Sequence, residues 1–365
     1  MKRYKIVTLP GDGIGPEVVE ETLQVLHAVA EAAGFAIEVD EHLIGGAALD
    51  ATDDPFPTAT KEACLQADAV LMGAVGGPKW DHFTGNKRPE SGLLALRKAL
   101  GTFSNLRPVT VPEALASSSP LRSDRVAGTD LLIVRELTGG IYFGEPRGRE
   151  ETSAGRVAAN TMVYDEAEIL RIARVAMKWA RRRRNKVTLV DKANVLVVSQ
   201  LWREVVTELH KAEFADVELD MLYVDNAAMQ MVLNPKQFDV VVTSNLFGDI
   251  LSDLAATLPG SLGMLPSASV GGQVGLFEPV HGSAPDIVGQ GKANPLATML
   301  SGVMMLEELG ESEAAGSIQA GIDAVLNEGH RTQDMLRDGL HLVSTSEMGA
   351  LVKQKAVHQL AQVPA

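Results

Sequence analysis

Lys5-Ile-Val-Thr-Leu9-Pro-Gly-Asp-Gly-Ile-Gly15-Pro16 is the stretch on which the fold turns. The apolar run 5–9 predicts a short buried strand, which Pro10 and the glycines at 11, 13 and 15 should stop. Pro16 suits the first turn of a helix, where its missing N–H costs nothing. Beyond it, Val18, Leu23, Leu26, Val29 and Ala30 recur at helical spacing over 17–33. A strand, a glycine loop and a helix in this order invite a Rossmann reading, with Glu38 or Asp40 as the ribose carboxylate. The spacing does not fit: Gly11 and Gly13 should be followed by a glycine at 16, but the third glycine falls at 15 and Pro16 occupies the position itself. The loop is therefore expected to be a tight turn, and the fold α/β but non-Rossmann. Apolar runs at 69–72, 131–134, 187–190 and 240–243, with helix-like segments between several of them, extend the α/β pattern.

With 365 residues, 45% hydrophobic and 22% charged, the chain suits two packed domains sharing a cleft rather than one domain, a fibre or a disordered segment. No internal repeat or long linker is present. A formal net charge of -14 opposes binding to phosphate backbones and anionic lipid, so an anionic substrate needs a local basic site. The single cysteine, Cys64, excludes an intrachain disulfide and suits a reducing, cytoplasmic setting. The basic, then apolar, start meets Pro10-Gly11-Asp12 before a signal-peptide core can form, and no apolar run approaches the ~20 residues of a membrane span. The basic run Arg181 to Arg184 admits an RNA-binding reading; as the solvated C-terminus of a helix it has a simpler one.

Three arginines, Arg97, Arg107 and Arg135, stand where planar forks for carboxylates would be useful, although each alone is an ordinary salt-bridge residue. Arg135 ends the run 131–134, at the strand terminus where ligands of α/β proteins collect, and the turn Thr138-Gly-Gly140 then presents Tyr142 as a possible acid. Lys192 follows the run 187–190 in the same way; beside other cations or in a dry cleft such a lysine becomes a general base. Asp249 and Asp253 lie four apart on what reads as a helix after the run 240–243. One face then carries two like charges, which a counterion or a metal would compensate. Oxygen ligands without His or Cys favour Mg²⁺ or Mn²⁺, and Asp225 is a possible third ligand.

These motifs follow one another in an order that carries more information than any one of them. Leu9-Pro-Gly-Asp-Gly-Ile-Gly-Pro-Glu17, Asn105-Leu-Arg-Pro108, Arg135-Glu-Leu-Thr-Gly-Gly-Ile-Tyr-Phe-Gly144, Asp191-Lys-Ala-Asn194, Asn245-Leu-Phe-Gly-Asp-Ile-Leu-Ser-Asp253 and His281-Gly-Ser-Ala-Pro-Asp286 resemble the isopropylmalate/isocitrate dehydrogenase family from about residue 4 to 355. The resemblance implies a two-domain fold with a mixed parallel/antiparallel sheet spanning the domains. A cofactor domain would be formed by 1–102 plus 260–365, and a substrate, metal and dimerisation domain by 103–259, with an arm near 144–158. It implies a homodimer in which Lys192 and Asp225 complete the partner's site. Arg97, Arg107 and Arg135 would clamp substrate carboxylates, Asp225, Asp249 and Asp253 would hold the metal, and Tyr142 and Lys192 would be the acid–base pair. The implied reaction is an NAD-dependent oxidative decarboxylation.

Within that resemblance the substrate is set by the group on C3. Leu93 and Leu94, preceding Arg97, and Val195, after Lys192, suit an isopropyl substituent, so 3-isopropylmalate and a role in leucine biosynthesis are expected, with D-malate or tartrate as the alternative. Each buried methyl or methylene contributes ~0.8 kcal/mol, whereas a carboxylate placed on leucines would lose its hydration without a partner. Glu90 resembles the family's glutamate near the nicotinamide ribose. His281, Gly282, Ser283, Ala284 and Asn294 resemble residues that frame the adenosine half, and Asp286 would accept from a ribose 2′-OH and repel a 2′-phosphate, favouring NAD over NADP.

Overall fold

The computed structural model describes residues 1–362. They form two compact units. The first comprises Met1–Thr102, the short stretch Ser117–Ser119, and the chain from Pro259 onward; the second comprises Phe103–Ala116 and Pro120–Leu258.

In the first unit the strands lie in the order Ala36–Glu41, Arg3–Gly11, Ala69–Ala74, Gly275–Pro279 and Pro266–Val270. All run parallel except Pro266–Val270, which pairs antiparallel to Gly275–Pro279. The opening strand does not stop at Leu9: Leu9 pairs with Met72 and Gly11 with Ala74, so the ladder steps over Pro10, whose missing N–H falls between two paired positions. Val7, Leu9, Val70, Met72 and Leu276 pack with Leu96 and Leu100 into a buried core. Those two leucines come from the helix Pro89–Leu100, whose C-terminal Gly101 closes it in the left-handed conformation.

The second unit orders its strands as Ser104–Val111, Thr129–Glu136, Val240–Thr243, Lys186–Asp191 and Glu218–Tyr223, with only Ser104–Val111 antiparallel to its neighbour. The register brings the functional segments to one edge. Arg135 stands opposite Thr243, Thr243 opposite Val190, and Asp191 opposite Tyr223, so Arg135, Lys192, Asp225 and the helix Asn245–Ala256 all lie at the carboxyl ends of the parallel strands. Asn105 stands opposite Arg135, because the antiparallel strand begins where its neighbour ends. This is the edge at which α/β sheets gather ligands.

The opposite edge accounts for the basic run. Arg183 pairs with Asp239 at 2.8 Å and Asp130 at 2.7 Å, and Arg184 donates to the Asp130 carbonyl. Arg181 forks onto Asp216 and lies over the Phe214 ring. The run does lie at a helix C-terminus, with Arg181, Arg182 and Arg184 exposed, and three of the four arginines also pair within their own unit, Arg183 with the almost fully buried Asp239. The segment near 144–158 forms an exposed hairpin of Gly148–Thr152 and Gly155–Ala159.

Candidate active site

In the second unit the helix Asn245–Ala256 carries Asn245, Asp249, Ser252 and Asp253 on one face, at the i, i+4, i+7, i+8 spacing of an α-helix. Gly248 lets the helix approach the aliphatic stem of Arg135; a Cβ there would lie 2.5 Å from Arg135 Cγ. The buried Arg135 guanidinium donates from Nε and Nη2 to Asn245 Oδ1, at 3.1 and 2.8 Å, and from Nη1 to Asp249 Oδ1 at 2.5 Å. Arg107 donates from Nε to Asn105 Oδ1 at 2.8 Å and from Nη1 to Ser252 Oγ at 2.7 Å and Asp253 Oδ1 at 3.3 Å. Tyr142, on the 3₁₀ turn Gly140–Tyr142, donates to Asp249 Oδ2 at 2.8 Å. Burial, and then the Asp249 carboxylate, hold its pKa above the ordinary phenol value, so it keeps its proton at neutral pH.

Ser252 Oγ donates in turn to the Asp249 carbonyl at 3.0 Å, so Arg107, Arg135, Tyr142, Asp249 and Asp253 belong to one hydrogen-bonded cluster. Lys192 and Asp225 form a separate pair, Nζ to Oδ1 at 2.7 Å, with Lys192 facing the Tyr223 ring. Within its own chain Lys192 thus faces a carboxylate rather than other cations. The Lys192 hydrogen bond holds the Asp225 carboxyl below the usual range. Val195 is largely exposed.

The donor chemistry of Asp249 and Asp253 fits a hard divalent cation. Among the described residues, however, no three His, Cys, Asp or Glu side chains are grouped so as to hold a metal ion. The helix face itself supplies two neighbouring carboxylates.

The first unit holds the other singled-out residues. Arg97 donates from Nη2 to Glu278 Oε1 at 2.7 Å, both side chains being largely buried, while Arg97 Nε is buried with no hydrogen-bond partner among the described residues. Leu94 is half exposed, whereas Leu93 packs against the buried core. Glu90 approaches Gly76, whose amide donates to Asp12. The buried Asp12 carboxylate also accepts from the Gly46 and Ala47 amides, tying the glycine loop to two others.

That loop has a further partner. The Ile14 amide donates to the Ser283 carbonyl at 2.9 Å, and Gly13, at φ +62°, leaves so little room that a Cβ would lie 2.0 Å from the Ser283 oxygen. The glycine loop is thus a turn that buttresses the segment 281–286. In that segment Gly282 is open to solvent, Ala284 holds a positive φ of 39°, and the exposed Asp286 carboxylate has no partner among the described residues. His281 Nε2 is likewise buried and unpartnered, and burial holds the imidazole below its ordinary pKa. An unsatisfied imidazole nitrogen and an open carboxylate on one segment fit a nucleoside with free hydroxyls. Asn294 is different: its amide donates to Asp334 at 3.0 Å and accepts from the Leu296 amide, so its side chain is already engaged.

Asn105, Ser252, Asn245, Glu278 and Asp12 were not singled out from the sequence. The helical spacing from Asn245 to Asp253 and the two-residue strand spacing of Asn105 and Arg107 were available signals for three of them. Glu278 and Asp12 had none, since each meets its partners only through the tertiary fold.

Known proteins are similar to this chain over nearly its whole length. The chain is 62% identical over 361 residues to the 3-isopropylmalate dehydrogenase of Salinibacter ruber, covering 99% of this chain and 98% of the relative. It is 55% identical to that of Aquifex aeolicus, covering 95% and 96%. Isocitrate dehydrogenase from Methylococcus capsulatus shares the fold at a TM-score of 0.85 and 36% identity, covering 97% and 99%. The sequence profile described as isocitrate/isopropylmalate dehydrogenase matches residues 5–352, and this chain belongs to the isocitrate/isopropylmalate dehydrogenase family.

Proposed function

We propose that this chain catalyses the NAD-dependent oxidative decarboxylation of 3-isopropylmalate to 4-methyl-2-oxopentanoate, a step of leucine biosynthesis. The observation that carries this reading is the cluster in which two arginines and a protonated tyrosine share the carboxylates Asp249 and Asp253, in a chain that matches proteins named for this substrate over nearly its full length.

Arg107 and Arg135, with Arg97 of the first unit, are assigned to the two substrate carboxylates, because a guanidinium offers several fixed donors to planar oxygens. Asp249 and Asp253, with Asp225 of a second copy, would hold Mg²⁺ or Mn²⁺. His281, Gly282, Ser283, Ala284, Asp286, Asn294 and Glu90 are assigned to NAD, with Asp286 accepting from the ribose 2′-OH and opposing a 2′-phosphate. When bound, NAD takes the C2 hydride and the divalent ion acts as a Lewis acid at the C2 oxygen. Lys192 removes the C2 hydroxyl proton as the hydride departs. Arg107 and Arg135 hold the malate-like half still while the bond from C3 to its carboxylate breaks and CO₂ leaves its electron pair as an enolate. Tyr142, which holds its proton at neutral pH, delivers it to C3.

A homodimer completes this reading. Lys192 and Asp225 pair with each other rather than with the Asp249 cluster, which suits residues that serve a neighbouring copy. Met229, Leu233 and Ile250 leave an exposed apolar face on the helices Val224–Leu233 and Asn245–Ala256, suited to a second copy of the same face. Leu93, Leu94 and Val195 are assigned to the isopropyl group. The buried thiol of Cys64 accords with a cytoplasmic setting, and no described helix is long and apolar enough to cross a membrane.

The test is kcat/KM for 3-isopropylmalate, D-malate and isocitrate with NAD. A preference for 3-isopropylmalate is expected; a higher value for either of the other acids overturns the substrate assignment.

A further inference from the structure

The helix Asn245–Ala256 begins without a side-chain cap: Ser244 precedes it, but its hydroxyl is buried and makes no hydrogen bond among the described residues. The first helical N–H, that of Asn245, is instead taken by the phenolic oxygen of Tyr164 at 2.9 Å. Tyr164 is buried, stacked edge-on against Trp202 at 5.3 Å, and lies against Gly139 and Gly140. The Asn245 side chain is fully engaged. Its Oδ1 accepts from two nitrogens of Arg135, and its Nδ2 donates to the carbonyls of Leu137 and Gly139 at 3.1 and 3.2 Å. The same turn is held from below by Glu136, wholly buried, whose carboxylate accepts from the amides of Thr138 and Gly139 and the Thr138 hydroxyl, each at 2.9 Å.

One buried amide therefore contacts both the arginine assigned to a substrate carboxylate and the turn that presents the acid. Its orientation is determined, since an amide has an acceptor at one end and donors at the other: Arg135 offers only donors and the two carbonyls only acceptors. We propose that Asn245, seated by the Tyr164 hydroxyl, is a positioning residue that sets the Arg135 guanidinium and the Tyr142 turn relative to each other. Asn245 touches neither substrate nor cofactor in this scheme; it acts through Arg135 and through the turn. A small displacement of either group would lose the alignment on which proton delivery depends.

The inference rests on the reading that Arg135 binds a substrate carboxylate and Tyr142 donates a proton. Its test is steady-state kinetics of Asn245→Ser, Arg135→Lys, their double variant and Tyr164→Phe, with 3-isopropylmalate, NAD and Mn²⁺, alongside thermal unfolding of each. Asn245→Ser is expected to raise KM for 3-isopropylmalate and lower kcat, each by about tenfold or more, the scale of a lost hydrogen bond to a charged group, while KM for NAD stays within about twofold. Because Asn245→Ser frees the Arg135 guanidinium and Arg135→Lys removes it, both lose the same contact, and the double variant should show less than the product of the single effects on KM, which a general loss of stability would not produce. Tyr164→Phe should move KM and kcat in the same direction by a smaller factor. If Arg135→Lys leaves KM unchanged, the carboxylate assignment itself fails. If Arg135→Lys raises KM but a folded Asn245→Ser does not, or the two effects multiply, the positioning role is overturned. Should Asn245→Ser not fold, an unchanged KM and kcat in Tyr164→Phe overturns it alone.

Discussion

Replacing Tyr142 with Phe removes one oxygen and should separate the last chemical step from those before it. The hydroxyl makes a single hydrogen bond, 2.8 Å to Asp249 Oδ2, and the ring is 38% exposed, so the loss of folding stability should be at most ~1 kcal/mol. The kinetic effect should be far larger, since a positioned general acid contributes about 10²- to 10⁴-fold, equivalent to roughly 3–5 kcal/mol in the barrier. In the proposed scheme hydride transfer and loss of CO₂ precede the protonation of C3 and depend on Lys192 and the arginines rather than on Tyr142. The variant should therefore form about one NADH per site rapidly and then turn over slowly. Stopped-flow absorbance at the reduced nicotinamide band, with enzyme in excess of a few micromolar, reads both phases. A near-normal steady rate would show that Tyr142 is not the acid. A first turnover as slow as all later ones would show that it acts before or during oxidation, and the assignment of steps would be wrong.

Gly13→Ala places a methyl group 2.0 Å from the Ser283 carbonyl at a φ of +62°, which costs ~1–2 kcal/mol in backbone conformation alone; KM for NAD should rise severalfold in initial-rate assays while KM for 3-isopropylmalate holds. Arg183→Ala removes the guanidinium from the buried Asp239, which keeps the amides of Arg184 and Lys186, and should lower stability to denaturant by ~1.5–3 kcal/mol, whereas Arg182→Ala should stay within ~0.5 kcal/mol; equal effects would mean that the Asp239 pair is not structural. Refolding Asp225→Ala together with Asp249→Ala should restore activity to about a quarter of wild type, since half the dimers are mixed and each mixed dimer keeps one intact site; no recovery would place Asp225 in its own chain's site. Burial depresses the His281 pKa, so the unfolded chain binds the extra proton first. Stability from this group is complete above about 6.5, the ordinary histidine value, and is lost as the pH falls toward the folded pKa; Tm measured from pH 7.5 to 5.5 should fall more steeply for the natural chain than for His281→Gln.

Much of the fold was legible because periodicity is a local property. The strands Val240–Thr243 and Lys186–Asp191 coincide with apolar runs, and the helix Asn245–Ala256 follows one of them directly. The misread end of the first strand has a local cause too: proline removes a donor, and only the register, with Leu9 and Gly11 both paired around Pro10, shows that no donor was needed there. The arginines, Tyr142 and the aspartates were legible as residues at strand ends and on one helix face. Their partners were not. Glu278 lies 181 positions from Arg97, and Tyr164 lies 81 from Asn245, separations that no spacing rule connects.

The compensation of the carboxylate pair shows where separate readings of a sequence share atoms. Two acids on one helix face required either a counterion or a metal, and the arginines nearby were read as a clamp for substrate. In the structure Asp249 accepts from Arg135 and Asp253 from Arg107, so the groups assigned to metal and the groups assigned to substrate neutralise one another. A cation drawn to Asp249 and Asp253 weakens their hold on the two guanidinium groups, and a carboxylate drawn to the guanidinium groups weakens their hold on the two acids. Each ligand thus removes a competitor of the other.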